Sequence, residues 1–256
     1  MKNHQNLYRL DGRVVYVTGG LGRIGDAVCT ELTELGASVV CLDSSLPKPS
    51  KARDVRYSAF DVTDTEHLED RLRELEKTFG PAYGWVNCAY SRTKDWAQSN
   101  VANMEPQSWS KNIEIQMNCT CLLSGAVAAA MATRNTGSLV NVASIYGMVG
   151  PDFRIYEDNG LMTPPAYAAI KGGMMSFTRY MASYYGQQNV RINAVAPGGV
   201  AAGQPAEFVE KYAERTPLRR MAEAYEVGAP IAFLVSPAAA YITGTVLPID
   251  GGWTAI

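Results

Sequence analysis

The chain has 256 residues, 47% of them hydrophobic and 19% charged, and its 23 Lys and Arg against 25 Asp and Glu leave a formal charge of -2. That much apolar side chain excludes intrinsic disorder and suffices for a large core, and the near-neutral balance excludes a nucleic-acid binder that relies on a broad basic surface. The five cysteines form no CxxC pair and the two histidines, His4 and His67, lack ligand spacing, so neither a disulfide scaffold nor a metal centre is expected.

The opening MKNHQNLYRLDG lacks the apolar stretch of a secretion signal, and the apolar run 122–132 is too short to span a bilayer, so a cytoplasmic protein without a membrane partner is expected. Residues 13–18 (RVVYVT) predict a strand, followed by GGLGRIG and a helix to residue 35. Strands are predicted at 37–42 and 57–60, and a charged helix from Asp64 carries Leu68, Leu72 and Leu75 at helical spacing. A strand at 83–87, a small-residue helix at 109–131, a strand at 138–142 and a helix at 166–185 follow. Residues 190–194 predict another strand, 207–215 and 222–234 predict helices, and 246–249 predict a short last strand. Six strand–helix steps without a Pro/Gly/Ser linker predict an α/β chain, a doubly wound parallel sheet in one domain over 1–256.

Three features carry chemistry. Gly19, Gly22 and Gly25 follow the first strand and open the first helix, a spacing that allows a tight turn with the helix amino terminus facing a pyrophosphate. Asp43 ends the second strand, where a carboxylate can accept from adenosine ribose hydroxyls and repel the extra phosphate of NADP. NAD is therefore the expected cofactor, with NADP kept as the lesser expectation because the Arg23 guanidinium can turn toward a 2′-phosphate. Asp61 and Val62 close the third strand, where they border the adenine or cap the next turn. Tyr167 and Lys171 share a helix face at i,i+4 spacing, and an ammonium beside a phenol suits acid/base work. Ser144 follows the fifth strand at the edge where parallel sheets bind ligands. Asn118 lies inside a predicted helix, in a structural or a functional role.

The chain resembles the short-chain dehydrogenase/reductase family over almost its whole length, mostly in its classical form. The matching pieces are Thr18 to Gly25, Asp61-Val62, Asn87-Cys88-Ala89, Asn118, Ser144, Tyr167-Ala-Ala-Ile-Lys171, the Arg191 to Gly198 stretch and Asp250-Gly251-Gly252. The resemblance implies a Rossmann-type three-layer αβα sandwich and an NAD-dependent oxidoreductase that interconverts a secondary alcohol and a ketone. It implies that Tyr167 moves the proton and that Lys171 supports the phenolate and binds the nicotinamide ribose. Ser144 would hold the substrate oxygen and Asn118 a relay water. It also implies that Gly19, Gly22, Arg23, Ile24, Gly25, Asp43, Asp61, Val62, Asn87, Ala89, Pro197, Gly198 and Val200 border the cofactor, and that outer helices pair subunits into a homodimer or homotetramer.

Two departures stand out: Tyr90 replaces the usual glycine after Ala89, and the glycine spacing resembles the family's extended branch, which keeps an NAD-retaining epimerase or dehydratase open as an alternative. A catalytically silent nucleotide-binding regulator is a further alternative. Ser144 and Tyr167 lie 23 residues apart, wider than the family's interval. The inserted loop 151–165 is either a substrate wall or an outer subunit contact. As a substrate wall it would offer Arg154 to an anion and Tyr156 and Asn159 to polar groups, beside Ser144 and Tyr167. The insertion also resembles dehydrogenases of surface-polysaccharide and flagellin-glycan pathways, which implies a sugar, a sugar acid or a nucleotide-linked sugar as substrate. Residues 201–221 are expected either to form a lid that closes through Phe208, Tyr212 and Leu218 or to pack as a helical surface on the core.

Overall fold

The computed structural model describes residues 6–46, 55–157 and 160–256. Seven strands form one sheet: β1 (Val14–Thr18), β2 (Ser38–Asp43), β3 (Val55–Ala59), β4 (Ala82–Asn87), β5 (Gly137–Val142), β6 (Val190–Pro197) and β7 (Val246–Ile249). Their order is β3-β2-β1-β4-β5-β6-β7 and every pairing is parallel. The helices are α1 (Arg23–Glu34), α2 (Leu68–Phe79), α3 (Pro106–Asn112), α4 (Cys119–Ala132), α5 (Pro165–Tyr185), α6 (Ala206–Arg215) and α7 (Ala224–Val235). The expected strands are all present. α2 starts at Leu68 rather than at Asp64, and β6 runs on to Pro197 because β7 pairs with its second half.

Alternation along the strands fills both faces of the sheet, as a parallel sheet covered on both sides requires. Val15, Val17, Val39 and Val86 pack with Val28 and Leu32 of α1 and Ile231 and Leu234 of α7. Tyr16, Val40, Trp85 and Leu139 point the other way, onto Leu72 and Leu75 of α2, Leu123 and Met131 of α4 and Met181 of α5. The result is a Rossmann-like three-layer arrangement.

Residues 106–132 form a helical rod that is long and apolar enough to cross a membrane by those two criteria, but Leu123, Val127 and Met131 are buried in the core. The rod is not one regular α-helix. Ile113–Asn118 is a π turn, which adds a residue to the winding and re-aims the side chains it carries.

Buried polar side chains fix the two site-bearing helices to the sheet. Asn87 at the end of β4 donates to Ser124 Oγ of α4 (3.0 Å) and to Asn141 Oδ1 of β5 (2.9 Å), and Asn141 Nδ2 donates to Thr178 Oγ1 of α5 (3.0 Å). Buried amides satisfied this way hold one register, because any slip leaves a polar atom unpaired.

Candidate active site

The strand order reverses between β1 and β4, and at such a switch point the loops leaving the carboxyl ends of neighbouring strands diverge and open a cleft. The turn after β1 is folded tightly against that cleft. Gly19 has φ +62°, and a Cβ there would stand 2.7 Å from the Cα of Ala89 after β4. Gly22 donates to the Gly19 carbonyl (3.0 Å) and forms the amino-terminal cap of α1 without a side-chain bond. A Cβ on Gly25 would strike the Gly19 carbonyl oxygen and stand 2.7 Å from Gly20 Cα.

A cavity of about 310 Å³ lies there, lined by Gly19, Gly22, Asp43, Asp61, Val62 and Ala89 among others, with Tyr90 at its edge. The Asp43 carboxylate accepts from the Leu21 amide at 3.2 Å, which holds it over the glycine turn. Asp61 accepts from the Thr63 amide (2.8 Å) and hydroxyl (2.7 Å), and these bonds lower its pKa. Arg23 is exposed, and Ile24 packs beneath the turn on the core. Asn87 is enclosed in the polar network and acts on the cleft through the strand end it fixes. A wall of glycine backbone, a free helix amino terminus and a strand-end carboxylate fit a dinucleotide.

On the other side of Tyr90 the structure brings Ser144, Tyr167 and Lys171 together. Ser144 leaves β5 in extended conformation, and its Oγ accepts from the Tyr146 amide (3.2 Å). Pro165 starts α5 at a position where a missing N–H costs nothing. Tyr167, in the first turn, lines the same cavity as Ser144, and Lys171 follows one turn later. Burial pushes the Tyr167 phenol up and the Ser144 hydroxyl opposes it. Burial pulls Lys171 down to about 8, with the neighbouring Cys88 thiol opposing. The Lys171 ammonium donates to the Val142 carbonyl (2.8 Å) and lies over the rings of Tyr167 (5.6 Å) and Tyr90 (5.7 Å).

Pro197 is buried at the end of β6. Gly198 bonds to the Ile249 carbonyl (2.9 Å), and Val200 bridges to Ala222. Gly198 and Gly199 reach a second cavity, of about 350 Å³, which also contains Ser144 and Tyr167.

Aromatic rings wall that second cavity. Tyr90, Trp96 and Tyr146 all meet the Tyr167 ring edge-on, at 5.8, 6.3 and 6.4 Å between centroids. Tyr156 bonds through its hydroxyl to that of Tyr146 (2.9 Å) and leans on Phe208 of α6 (5.6 Å). The segment 201–221 thus contributes Phe208, Tyr212 and Met221, while Leu218 lines a different cavity with Arg220 and Glu226.

Two expected contacts are not formed. Arg154 points outward: its side chain is 79% exposed and its guanidinium donates to Asp152 at 2.9 and 2.6 Å, next to a separate cavity with Lys211 and Arg215. Asp152 lies two residues away and captures it. Asn118 does not join the buried group either, because its amide donates to Glu114 (2.8 Å) at an exposed position. The π turn offsets α-helical facing there, and it is Gln116 that is buried, with Nε2 donating to Asn112 (3.3 Å) and Oε1 without a partner among the described residues. Asn159 lies outside the described residues.

Sequence reasoning missed Gln116, Arg92, Trp96 and Tyr146. The last was readable as the second residue after Ser144. Gln116 lies in the predicted helix 109–131, where the π turn decides that it faces inward, and Arg92 and Trp96 lie in a segment without a periodic signal.

The family profile described as enoyl-(acyl carrier protein) reductase matches residues 21–254. The cis-4-hydroxycyclohexanecarboxylate dehydrogenase of Sinomonas cyclohexanicum is 32% identical over 256 residues, covering 95% of this chain and 97% of that protein. A post-translational flagellin modification protein A from Campylobacter coli is 24% identical over 253 residues, covering 95% and 99%, in line with the resemblance of the insertion. A solved short-chain dehydrogenase from Leptospira borgpetersenii with bound NAD+ superposes with a TM-score of 0.86 at 29% identity, covering 99% of this chain and 96% of that one. With matches of this extent on the fold and site described above, the chain belongs to the short-chain dehydrogenase/reductase family of oxidoreductases.

Proposed function

We propose that this enzyme uses NAD to interconvert a secondary alcohol and a ketone on a small, polar, sugar-like substrate. The observation that carries the reading is the convergence of Ser144 and Tyr167 on one aromatic cavity, with the Lys171 ammonium over the Tyr167 ring. Ser144 holds the substrate oxygen. Tyr167 takes the alcohol proton during oxidation and returns it during reduction, and Lys171 lowers the cost of the phenolate. The bound nicotinamide supplies the hydride-exchanging carbon. The cleft carboxylates Asp43 and Asp61, with no Lys or Arg among the described lining residues, support NAD over NADP. Gly19, Gly22 and Gly25 shape the pyrophosphate wall, and the NAD+ held by the Leptospira relative supports the same choice.

The whole of 1–256 works as one catalytic domain, with 151–165 and 201–221 as cavity walls. Exposed Leu122, Tyr180 and Tyr184 on the outer faces of α4 and α5 suit pairing of subunits into a homodimer or homotetramer. Five free thiols and a diffusible cofactor suit the cytoplasm. The test is a screen of polyols, sugar acids and cyclic alcohols with NAD and NADP, read by NADH fluorescence, in wild type and Tyr167→Phe. Tyr167→Phe should lower kcat by about 10²- to 10⁴-fold and retain NADH binding. Undiminished turnover in that variant would remove Tyr167 from the chemistry.

A further inference from the structure

The aromatic cavity has one formally charged lining residue among those described, Arg92. It contains no Asp, Glu or Lys, although the surface nearby carries all three. Several other arginines bond within the chain: Arg154 to Asp152, Arg220 to Glu226, Arg134 to Glu76, and Arg191 to the terminal carbonyls of α7, whereas Arg92 is exposed at the cavity. Arg92 has no ion pair or hydrogen bond among the described residues. Its guanidinium carbon lies 5.2 Å from the Tyr90 ring centroid, which orients the planar fork by stacking and leaves its donors open.

We infer that Arg92 is the specificity-determining residue of this site and that the substrate is a hydroxylated six-membered ring carrying one carboxylate. The inference takes the reacting end of the molecule from the alcohol–ketone reading above and adds the far end. Tyr90 connects the two ends. Its ring centroid is 5.8 Å from that of Tyr167 and 5.2 Å from Arg92, so the guanidinium lies within about 11 Å of the Tyr167 ring. That figure is an upper limit, and a six-membered ring with a hydroxyl at one end, a carboxylate at the other and hydrogen bonds of about 2.8 Å at both is long enough to reach both groups within it. The ring between the polar ends meets Tyr90, Trp96, Tyr146 and Tyr156, whose faces and edges suit the C–H surface of a pyranose or cyclohexane. A cation with open donors in a cavity lined by no described carboxylate selects a monoanion and rejects an amine.

The test uses inert probes, so that binding is read without turnover. The NADH-loaded enzyme is titrated with cyclohexanecarboxylate and with cyclohexanecarboxamide, by calorimetry, in wild type, Arg92→Lys and Arg92→Gln. Wild type should bind the carboxylate at least about tenfold more tightly than the amide. Arg92→Gln should bind the two alike with an unchanged amide affinity, and Arg92→Lys should keep part of the preference. A wild type that binds the two equally, or binds neither, overturns the assignment, and so does a preference that survives in Arg92→Gln. In the same protein, 4-hydroxycyclohexanecarboxylate and a hexuronate are offered with NAD. A carboxylate preference without NADH formation from any cyclic hydroxy acid would count against the redox reading and leave the anion contact standing.

Discussion

The two cavities that meet at Tyr90 are built by different means. The first, beside the glycine turn, is walled by backbone and by the ends of β1, β2 and β4, and its charged lining residues are the carboxylates Asp43 and Asp61. The second is walled by side chains from connecting segments and from α5 and α6, mostly aromatic, and its charged lining residue is Arg92. Sheet register fixes the shape of the first, since β1 pairs residue by residue with β2 and β4. Ring contacts and hydroxyl bonds fix the shape of the second, so its shape and selectivity can change without disturbing the sheet. A constant cofactor suits the rigid wall and a particular substrate suits the replaceable one.

Filling the backbone wall should have the largest effect. In Gly25→Ala the new methyl meets the Gly19 carbonyl and Gly20 Cα, both main-chain atoms that have no alternative place. Overpacking of this kind costs about 1–3 kcal/mol, or about 2 to 6 °C in Tm for a chain of this size. Because the turn itself is displaced, NADH affinity should fall by at least about tenfold, read by fluorescence titration. Unchanged affinity would break the comparison, since the wall would then not depend on close glycine packing. A smaller effect is expected for Asp43→Ala, which removes a carboxylate and leaves the backbone in place. The preference for NAD over NADP should drop by about tenfold, read as the ratio of kcat/KM for the two cofactors. A wild type that prefers NADP would reverse the reading of that strand end.

The same division explains what the sequence made legible. Strand–helix alternation, Gly19 to Gly25 and the strand-end position of Asp43 follow local rules of turn geometry and topology, and the structure places them in one cleft. Tyr167 and Lys171 were readable as a pair because one helix carries both, and Ser144 because it ends a strand. The substrate cavity depends on contacts between distant segments. Trp96 reaches Tyr167 across about seventy residues of chain, and Tyr156 finds Tyr146 because the inserted loop folds back over the site. Arg154 was the obvious cation in that loop, yet a carboxylate two residues before it decides where it points. Arg92 carries no motif, and only its stacking on Tyr90 brings it into the cavity lining.

The smallest effects should separate Gln116 from Asn118, and they test which side chain the helical rod presents inward. Winding through the π turn puts Gln116 on the inner side, where Asn112 holds its amide and Asn112 in turn bonds to Thr93 of the loop after Tyr90. Its buried Oε1 has no partner among the described residues, and a carbonyl left that way costs about 1–3 kcal/mol unless water or a ligand group answers it. With cofactor and substrate present, a bridging water between Gln116 and the site would relieve that cost and give the residue a part in orienting proton transfer. Gln116→Ala should therefore lower kcat by about tenfold with little change in KM or Tm, and Gln116→Glu should shift the pH profile of kcat. Asn118→Ala removes an exposed bond to Glu114 and should leave kcat within about twofold. The reverse ranking would return the relay role to Asn118 and would mean that the π turn rewinds when the cofactor binds.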